Sequence, residues 1–232
     1  MTYDLFIGDK GFSSWSLRGW LLFEKFGIDA KVHMLGLYSG TMQQEMAALA
    51  PARFVPTVRT PEGWVIGESI AIVETLAERH PDAGIWPQDA KARIYARWLV
   101  AEMHAGFSTL RNDCPMQLFK QIHPFTVSDA LHADIARLEV ILGHAFENFA
   151  DKDSETGDWL FGNYSAADAF YAPVAARIAG YGLPVSDRLA KYVSAHLSDP
   201  AFKAWRAEGI AVRYDPFPYD LGAASKPWPE AD

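Results

Sequence analysis

The pattern of apolar residues changes near His80 of the 232-residue chain, and this change most constrains the fold. Before it, short apolar runs such as Tyr3–Ile7 alternate with stretches of helical spacing, of which Trp15–Phe26 is the clearest. After it, strand signals almost vanish, and long helical patterns such as Asp89–Leu110 and Val127–Ala150 follow. The pattern therefore predicts a mixed α/β unit followed by an all-helical unit.

The first unit has the predicted element order β-α-β-α-β-β-α. We expect a domain over residues 1–80, a linker over 81–88 and a helical domain over 89–232. The tail from Tyr214 holds four prolines, which predict an extended segment on the surface. These prolines are Pro216, Pro218, Pro227 and Pro229.

Composition excludes several classes of protein. A formal charge of −8 argues against a general nucleic-acid binder, because phosphate neutralisation requires a basic face. The single cysteine excludes a disulfide framework and a zinc cluster built on cysteines. No apolar run approaches the roughly 20 residues that span a bilayer, and the first residues lack the pattern of a secretory signal. We therefore expect a cytoplasmic protein without a metal site.

A serine-rich segment, Phe12–Arg18, lies between the first predicted strand and the first predicted helix. A serine at a helix start caps backbone N–H groups and contributes about 1 kcal/mol. Alternatively, hydroxyls and N-terminal amides together donate hydrogen bonds to a bound anion. Both interpretations stay open, although three serines within four residues favour a ligand site.

Two further short motifs follow in the first unit. Val55-Pro56 directly precedes a predicted hairpin, where proline is either an edge-strand device or a cis-proline that exposes backbone groups to an extended ligand. Glu68-Ser69 opens the third predicted helix. These two residues either favour the helix start or bind the ammonium and carboxylate of an amino-acid headgroup.

The three motifs, in this order, resemble the glutathione transferase family. The resemblance extends from Tyr3 to about Trp205, and it is closest to the serine-type, zeta-like bacterial members. In the second half, Ser165 and Asp168 resemble the family's capping box, which we assign to folding. The resemblance implies an α+β fold with a thioredoxin-like N-terminal domain and an all-helical C-terminal domain.

The resemblance also implies roles for site residues. Ser13 falls on the catalytic serine, with Ser14 as an alternative or auxiliary donor to the thiol of glutathione. Two departures concern the rest of the site: Trp15 replaces the cysteine of the zeta motif, and Gly180 stands where an arginine is expected, with Arg177 as the nearest candidate. The residues implied in glutathione binding are Val55, Pro56, Glu68 and Ser69.

The function implied is that of a glutathione transferase, an enzyme of detoxification that activates glutathione as thiolate for attack on a small electrophile. The alternatives are a glutathione-dependent isomerase or peroxidase, or a non-catalytic glutathione-binding carrier or stress protein. Glutathione is the expected co-substrate, no metal is required, and a homodimer is implied. The candidates for the electrophile site, each of which also suits ordinary core packing, are Phe12, Trp15, Met103, Phe107 and Arg111.

Overall fold

The computed structural model describes residues 2–37, 40–150, 159–212 and 222–229. The first part of the chain forms a four-stranded sheet of order β2-β1-β3-β4. β1 and β2 are parallel, whereas β1–β3 and β3–β4 are antiparallel. The elements of this part are β1 (Tyr3–Ile7), α1 (Ser14–Glu24), β2 (Ala30–Met34), α2 (Met42–Met46), β3 (Thr57–Arg59), β4 (Val65–Ile66) and α3 (Ser69–Arg79).

The rest of the described chain is mainly helical, as the sequence pattern predicts. α7 lies at its centre, and all of its residues are buried. The predicted α+β arrangement is therefore confirmed. The helices are α4 (Ala90–Ala105), α5 (Ser108–Asp113), α6 (Asp129–Asn148), α7 (Ala166–Tyr181), α8 (Asp187–Ser198) and α9 (Pro200–Ala211).

Helix α1 joins the two halves and positions the serine-rich segment. It packs on the sheet and on α3 from one side and on α7 from the other. Leu17, Leu21 and Leu22 are almost fully buried, because both sides of the helix are covered. The first turn of α1 therefore lies where the two halves of the molecule meet.

The predicted continuous helix over Asp89–Leu110 is wrong. The observed helix α4 ends at Ala105, and a separate helix, α5, begins after Phe107. The φ of Phe107 is 57°, in the left-handed region. A Cβ at Gly106 would lie 2.8 Å from the carbonyl oxygen of Glu102, so a side chain does not fit at this bend. The bend turns the chain toward the serine-rich segment.

A two-stranded antiparallel sheet in the second half is not foreseen by the sequence pattern. β5 (Lys120–Ile122) pairs with β6 (Ser225–Pro227), and Trp228 beyond it is buried. The C-terminal tail is therefore extended, as predicted, but it also pairs and buries a side chain. The other part of that prediction, at Tyr214, Pro216 and Pro218, lies outside the described residues. Among the described residues, no helix has both the length and the apolar character required to cross a membrane.

Candidate functional site

A cleft of about 540 Å³ opens where the β1–α1 turn, the segment before β3 and the start of α3 face α5 and α7. It brings together every residue that the sequence predicts for glutathione binding and thiol activation. The residues that line it are Phe12, Ser13, Ser14, Trp15, Leu37, Met42, Phe54, Val55, Pro56, Glu68, Ser69, Arg111, Asn112, Pro115, Met116 and Arg177.

Ser13 is the N-cap of α1. Its Oγ accepts a hydrogen bond from the backbone N–H of Ser16 at 3.3 Å and donates one to the Ser16 Oγ at 2.8 Å. The Ser16 Oγ in turn accepts from the backbone N–H of Gly8 at 2.8 Å. These hydrogen bonds fit the interpretation of Ser13 as a helix cap.

Ser14 begins α1 and faces the cleft beside Ser13. Its Oγ accepts a hydrogen bond from Nη2 of Arg177 at 3.4 Å. Arg177 is held on α7 by two backbone carbonyls, those of Cys114 at 2.9 Å and Pro173 at 3.2 Å. A buried guanidinium from the helical half therefore contacts a hydroxyl at the start of α1.

The Val55–Pro56 peptide bond is cis, and both residues line the cleft. Pro56 packs tightly on α1, because a Cβ at Gly19 would lie only 2.6 Å from the Pro56 Cβ. Glycine at this position lets the helix approach the cis-proline turn. The close approach places the backbone of Val55 beside the serine-rich segment.

Ser69 is the first residue of α3, and its side chain faces the same cleft. The side chain is buried, and its Oγ has no hydrogen-bond partner among the described residues. Glu68, just before it, has a φ of 62° and an exposed carboxylate. A hydroxyl, helix N-terminal amides and a carboxylate side by side can accommodate an α-carboxylate and an α-ammonium group.

Positive charge gathers around Trp15 in the first turn of α1. The guanidinium carbons of Arg18 and Arg111 lie 4.5 Å and 4.6 Å from the centre of its ring. Among the described residues, neither arginine forms an ion pair with a carboxylate. Burial, followed by repulsion from Arg177 and Arg111, lowers the pKa of Arg18 well below its ordinary value. Such an electrostatic environment favours a bound anion.

His104 connects Trp15 with Glu68. Its ring meets the Trp15 ring edge-on, with 5.1 Å between centres, and its Nε2 lies 3.7 Å from the Glu68 Oε2. Burial lowers the pKa of His104, Glu68 opposes that shift, and Arg18 and Arg111 reinforce it. A neutral His104 leaves the Glu68 carboxylate available to a ligand at neutral pH.

Of the candidates for the electrophile site, Phe12, Trp15 and Arg111 line the cleft. Met103 and Phe107 belong to the hydrophobic core and are not among the lining residues. Both stand near the bend that separates α4 from α5, which the helical spacing did not reveal. In the structure, Met103 and Phe107 therefore pack in the core.

Several lining residues were not singled out in the sequence. Met116 and Asn112 come from the segment around Cys114 and Pro115, where an interrupted helical pattern was the only available signal. The Cys114 thiol is buried, and burial raises its pKa to about 12. It is therefore protonated at neutral pH. In the described residues, no group of three or more His, Cys, Asp or Glu side chains is placed to hold a metal ion.

Parts of the chain are similar in sequence to known proteins. Residues 12–79 match the family model of the glutathione S-transferase N-terminal domain. The maleylacetoacetate isomerase of Dictyostelium discoideum is 27% identical over 143 residues, which cover 61% of this chain and 64% of that protein. A probable maleylacetoacetate isomerase of Caenorhabditis elegans is 32% identical over 108 residues, which cover 47% and 49%. The chain thus spans less than two thirds of the length of these curated relatives.

Solved structures share the fold over most of the chain. A glutathione transferase homologue from Burkholderia GL BGR1, solved with bound glutathione, covers 91% of this chain and 100% of its own at a TM-score of 0.66 and 23% identity. A glutathione S-transferase from the Antarctic clam Laternula elliptica covers 88% and 92% at a TM-score of 0.63 and 21% identity. The fold is that of a thioredoxin-like domain followed by a helical part. Residues 12–79 are thus similar to the N-terminal domain of glutathione S-transferases, and most of the chain shares the fold of these solved structures.

Proposed function

We propose that this chain is a glutathione-dependent enzyme that binds glutathione in the cleft and presents its thiol to a small anionic electrophile. The observation that carries the binding step is the Ser69 Oγ, which is buried at the start of α3 without a hydrogen-bond partner among the described residues. A buried hydroxyl without a partner costs free energy unless a ligand satisfies it. The α-carboxylate of the γ-glutamyl group suits this place, and its ammonium suits Glu68.

The cleft also fits the rest of the tripeptide. The backbone of Val55, next to the cis-proline, offers hydrogen bonds to the cysteinyl residue, which would bring its sulfur toward the first turn of α1. The thiol supplies a nucleophile once it is deprotonated, and its pKa near 8.5 leaves only a minority as thiolate at neutral pH. A serine hydroxyl at the start of α1 and the positive end of that helix stabilise the thiolate.

The class of electrophile follows from the positive charge on the opposite wall. Arg111 and Arg177 both line the cleft, and Trp15 provides an aromatic surface beside Arg111. This arrangement favours an acceptor with a carboxylate group over a neutral one. In a transfer reaction the sulfur lone pair forms the new S–C bond, and the leaving group departs with its own electron pair.

A glutathione-dependent isomerase is the second candidate, because the relatives named above are maleylacetoacetate isomerases and the arginines suit an anionic substrate. Counting free thiols during turnover separates the possibilities. A transferase consumes one thiol per product, an isomerase consumes none, and a peroxidase converts thiols to disulfide. A carrier binds glutathione and gives no turnover with any electrophile.

Calorimetric titration with glutathione tests the binding proposal. We expect Ser69→Ala to weaken binding about tenfold or more, because a hydrogen bond to a charged group contributes about 1.5–3 kcal/mol. Thr75→Ala is the matched control, since Thr75 lies on the same helix with an exposed hydroxyl that donates to the Ala71 carbonyl. Equal affinities of wild type and Ser69→Ala would remove Ser69 from the site.

We also propose a homodimer, formed by an apolar surface on α4 and α6. Ile94 and Trp98, one helical turn apart, are 70% and 52% exposed, and Val140 of α6 is 64% exposed. A side-chain hydrogen bond joins the two helices, in which the hydroxyl of Tyr95 donates to the carbonyl of Ile141 at 3.0 Å. Exposed apolar side chains in such a group favour a protein partner.

Light scattering tests this proposal. We expect a particle of twice the chain mass and a monomer for Trp98→Glu. Ile210→Glu on α9, another exposed apolar side chain, should remain dimeric. A wild-type monomer at micromolar concentration would contradict the proposal.

A further inference from the structure

We infer that Ser14, supported by Arg177, and not Ser13, is the residue that stabilises the glutathione thiolate. The inference rests on the proposed function and specifies its catalytic group. It reverses the assignment that the family resemblance implies for the two serines. The inference follows from which hydrogen bonds the hydroxyls of Ser13 and Ser14 donate and accept at the start of α1.

The hydroxyl of Ser13 is already engaged. A serine hydroxyl has one hydrogen to donate and two lone pairs to accept with. Ser13 donates its hydrogen to the Ser16 Oγ at 2.8 Å and accepts the Ser16 backbone N–H at 3.3 Å. Donating to a sulfur anion would therefore require the Ser13 hydroxyl to give up its hydrogen bond to the Ser16 Oγ.

The hydroxyl of Ser14 is used differently. Its Oγ accepts from Nη2 of Arg177 at 3.4 Å, and its own hydrogen has no acceptor among the described residues. Ser14 lines the cleft and lies next to the cis-proline turn in the same cavity. A ligand sulfur placed in the cleft can receive this hydrogen without loss of a bond within the protein.

Arg177 makes Ser14 a better donor. Two carbonyls, those of Cys114 and Pro173, hold its guanidinium, and the side chain is almost fully buried. A cation that donates to a hydroxyl oxygen polarises the O–H bond, which strengthens the hydrogen bond that the hydroxyl donates. The positive charge also favours an anion at the same place.

Charged side chains of both signs lie in or beside the cleft. Arg111 in the cleft and Arg18 behind Trp15 add positive charge, whereas Glu68 contributes a carboxylate on the opposite side. The proton that leaves the thiol passes to water. Ser14 keeps its own hydrogen and shares it with the sulfur, so no proton is stored in the protein.

Ultraviolet titration of the bound thiolate, on the full chain, tests the inference. For Ser14→Ala we expect the pKa of bound glutathione to rise by about one to two units, equivalent to a roughly tenfold to hundredfold smaller ratio of thiolate to thiol. Ser14→Thr, which restores a hydroxyl, should return it toward the wild-type value. Arg177→Met should raise it by less than Ser14→Ala does.

Ser13→Ala provides the decisive contrast. We expect it to leave the pKa of bound glutathione within a few tenths of the wild-type value and to lower the melting temperature. Ser128→Ala, which removes the N-cap of α6 at a residue that does not line the cleft, is the matched control for loss of a cap. The thermal effects of the two substitutions should be similar.

Each other outcome overturns the inference. A raised pKa in Ser13→Ala with an unchanged one in Ser14→Ala would return the role to Ser13. Unchanged pKa values in both variants would assign activation to the helix and the arginines alone. Absence of glutathione binding by the wild-type protein would instead refute the proposed function itself, and calorimetry separates that result from the others.

Discussion

Helices α1 and α7 each have a serine at the N-cap, and the two helix starts are built differently. At α7, Ser165 donates its hydroxyl to the Oδ2 of Asp168, which also accepts the Ser165 backbone N–H. The other carboxylate oxygen accepts from the Leu160 N–H at 3.2 Å and the Tyr192 hydroxyl at 3.0 Å. Each oxygen of the Asp168 carboxylate thus accepts two hydrogen bonds, and the side chain is fully buried.

At α1 the hydrogen bonding is incomplete on one side. Ser13 is satisfied like a cap, but the neighbouring Ser14 accepts from Arg177 and keeps its hydrogen for the cleft. The comparison teaches that residue type does not distinguish a cap from a ligand site. The balance of donors and acceptors does, since a donor without a partner at the wall of a cavity is available to a ligand.

The largest expected effect comes from Asp168 at the α7 start. Asp168→Asn would turn an amide NH₂ group toward two donors, so we expect a loss of about 3–5 kcal/mol in unfolding free energy. Urea denaturation measures it. Asp89→Asn at the N-cap of α4 is the control and should change stability little, because asparagine caps as well as aspartate. A loss below 1 kcal/mol for Asp168→Asn would mean that this start is not tightly built.

Next in size is a pH effect beside the same cap. His196 is buried against Tyr192, with 4.6 Å between ring centres, and burial, followed by the charge of Lys25, lowers its pKa to about 3. As the pH falls, His196 takes up a proton at about pH 6.5 in the unfolded chain, but only near pH 3 in the folded chain. The free energy of unfolding therefore decreases as the pH falls from about 6.5 toward 3.

Denaturation at pH 7 and pH 4 checks this prediction. We expect the loss on acidification to be about 3 kcal/mol smaller in His196→Gln than in wild type. Burial raises the pKa of Asp168 to about 6, so protonation of this carboxylate increases the stability as the pH falls. This contribution has the opposite sign to that of His196, but it is the same in wild type and in His196→Gln. Identical losses in the two proteins would show that His196 does not titrate differently on folding.

A smaller effect is expected where α1 meets the cis-proline turn. Gly19→Ala would place a Cβ 2.6 Å from the Pro56 Cβ, so we expect a loss of about 1–3 kcal/mol and weaker glutathione binding. Gly143→Ala on α6 meets no atom within 4 Å and should instead gain up to about 1 kcal/mol. Changes in unfolding free energy of the same sign for both substitutions would contradict the close approach of α1 to Pro56.

The smallest effect is that of the α1 cap. Ser13→Ala removes one acceptor for the Ser16 N–H, so we expect a loss of about 1 kcal/mol in urea denaturation. A loss of several kcal/mol would place Ser13 in a network as extensive as that of Asp168. In that case the two helix starts would not differ as described.

Local sequence signals predicted much of the fold and one side of the cleft. Strand β1 and helix α3 follow from apolar spacing, and Val55-Pro56 and Glu68-Ser69 were found because each stands next to a predicted element. The bend at Gly106 and Phe107 was missed, because its left-handed backbone depends on packing that helical spacing does not encode.

The helical side of the cleft was harder to predict. Arg177 reaches Ser14 across 163 positions of sequence. The strand pairing of Lys120–Ile122 with Ser225–Pro227 joins residues such as Gln121 and Lys226, which are 105 positions apart. Such contacts depend on tertiary packing and leave no periodic signal. Gly180 illustrates this, because a Cβ there would lie 3.3 Å from the ring of Trp228, so the tail occupies the space beside it.

A crystal structure of the protein with glutathione would test the central claim most directly. We expect the γ-glutamyl carboxylate on the Ser69 Oγ and the cysteinyl sulfur within hydrogen-bond distance of the Ser14 Oγ, with the bond between Ser13 and Ser16 intact. Glutathione whose sulfur accepts from Ser13, with that bond broken, would contradict the assignment of Ser14. Glutathione bound away from Ser69 would contradict the proposed site.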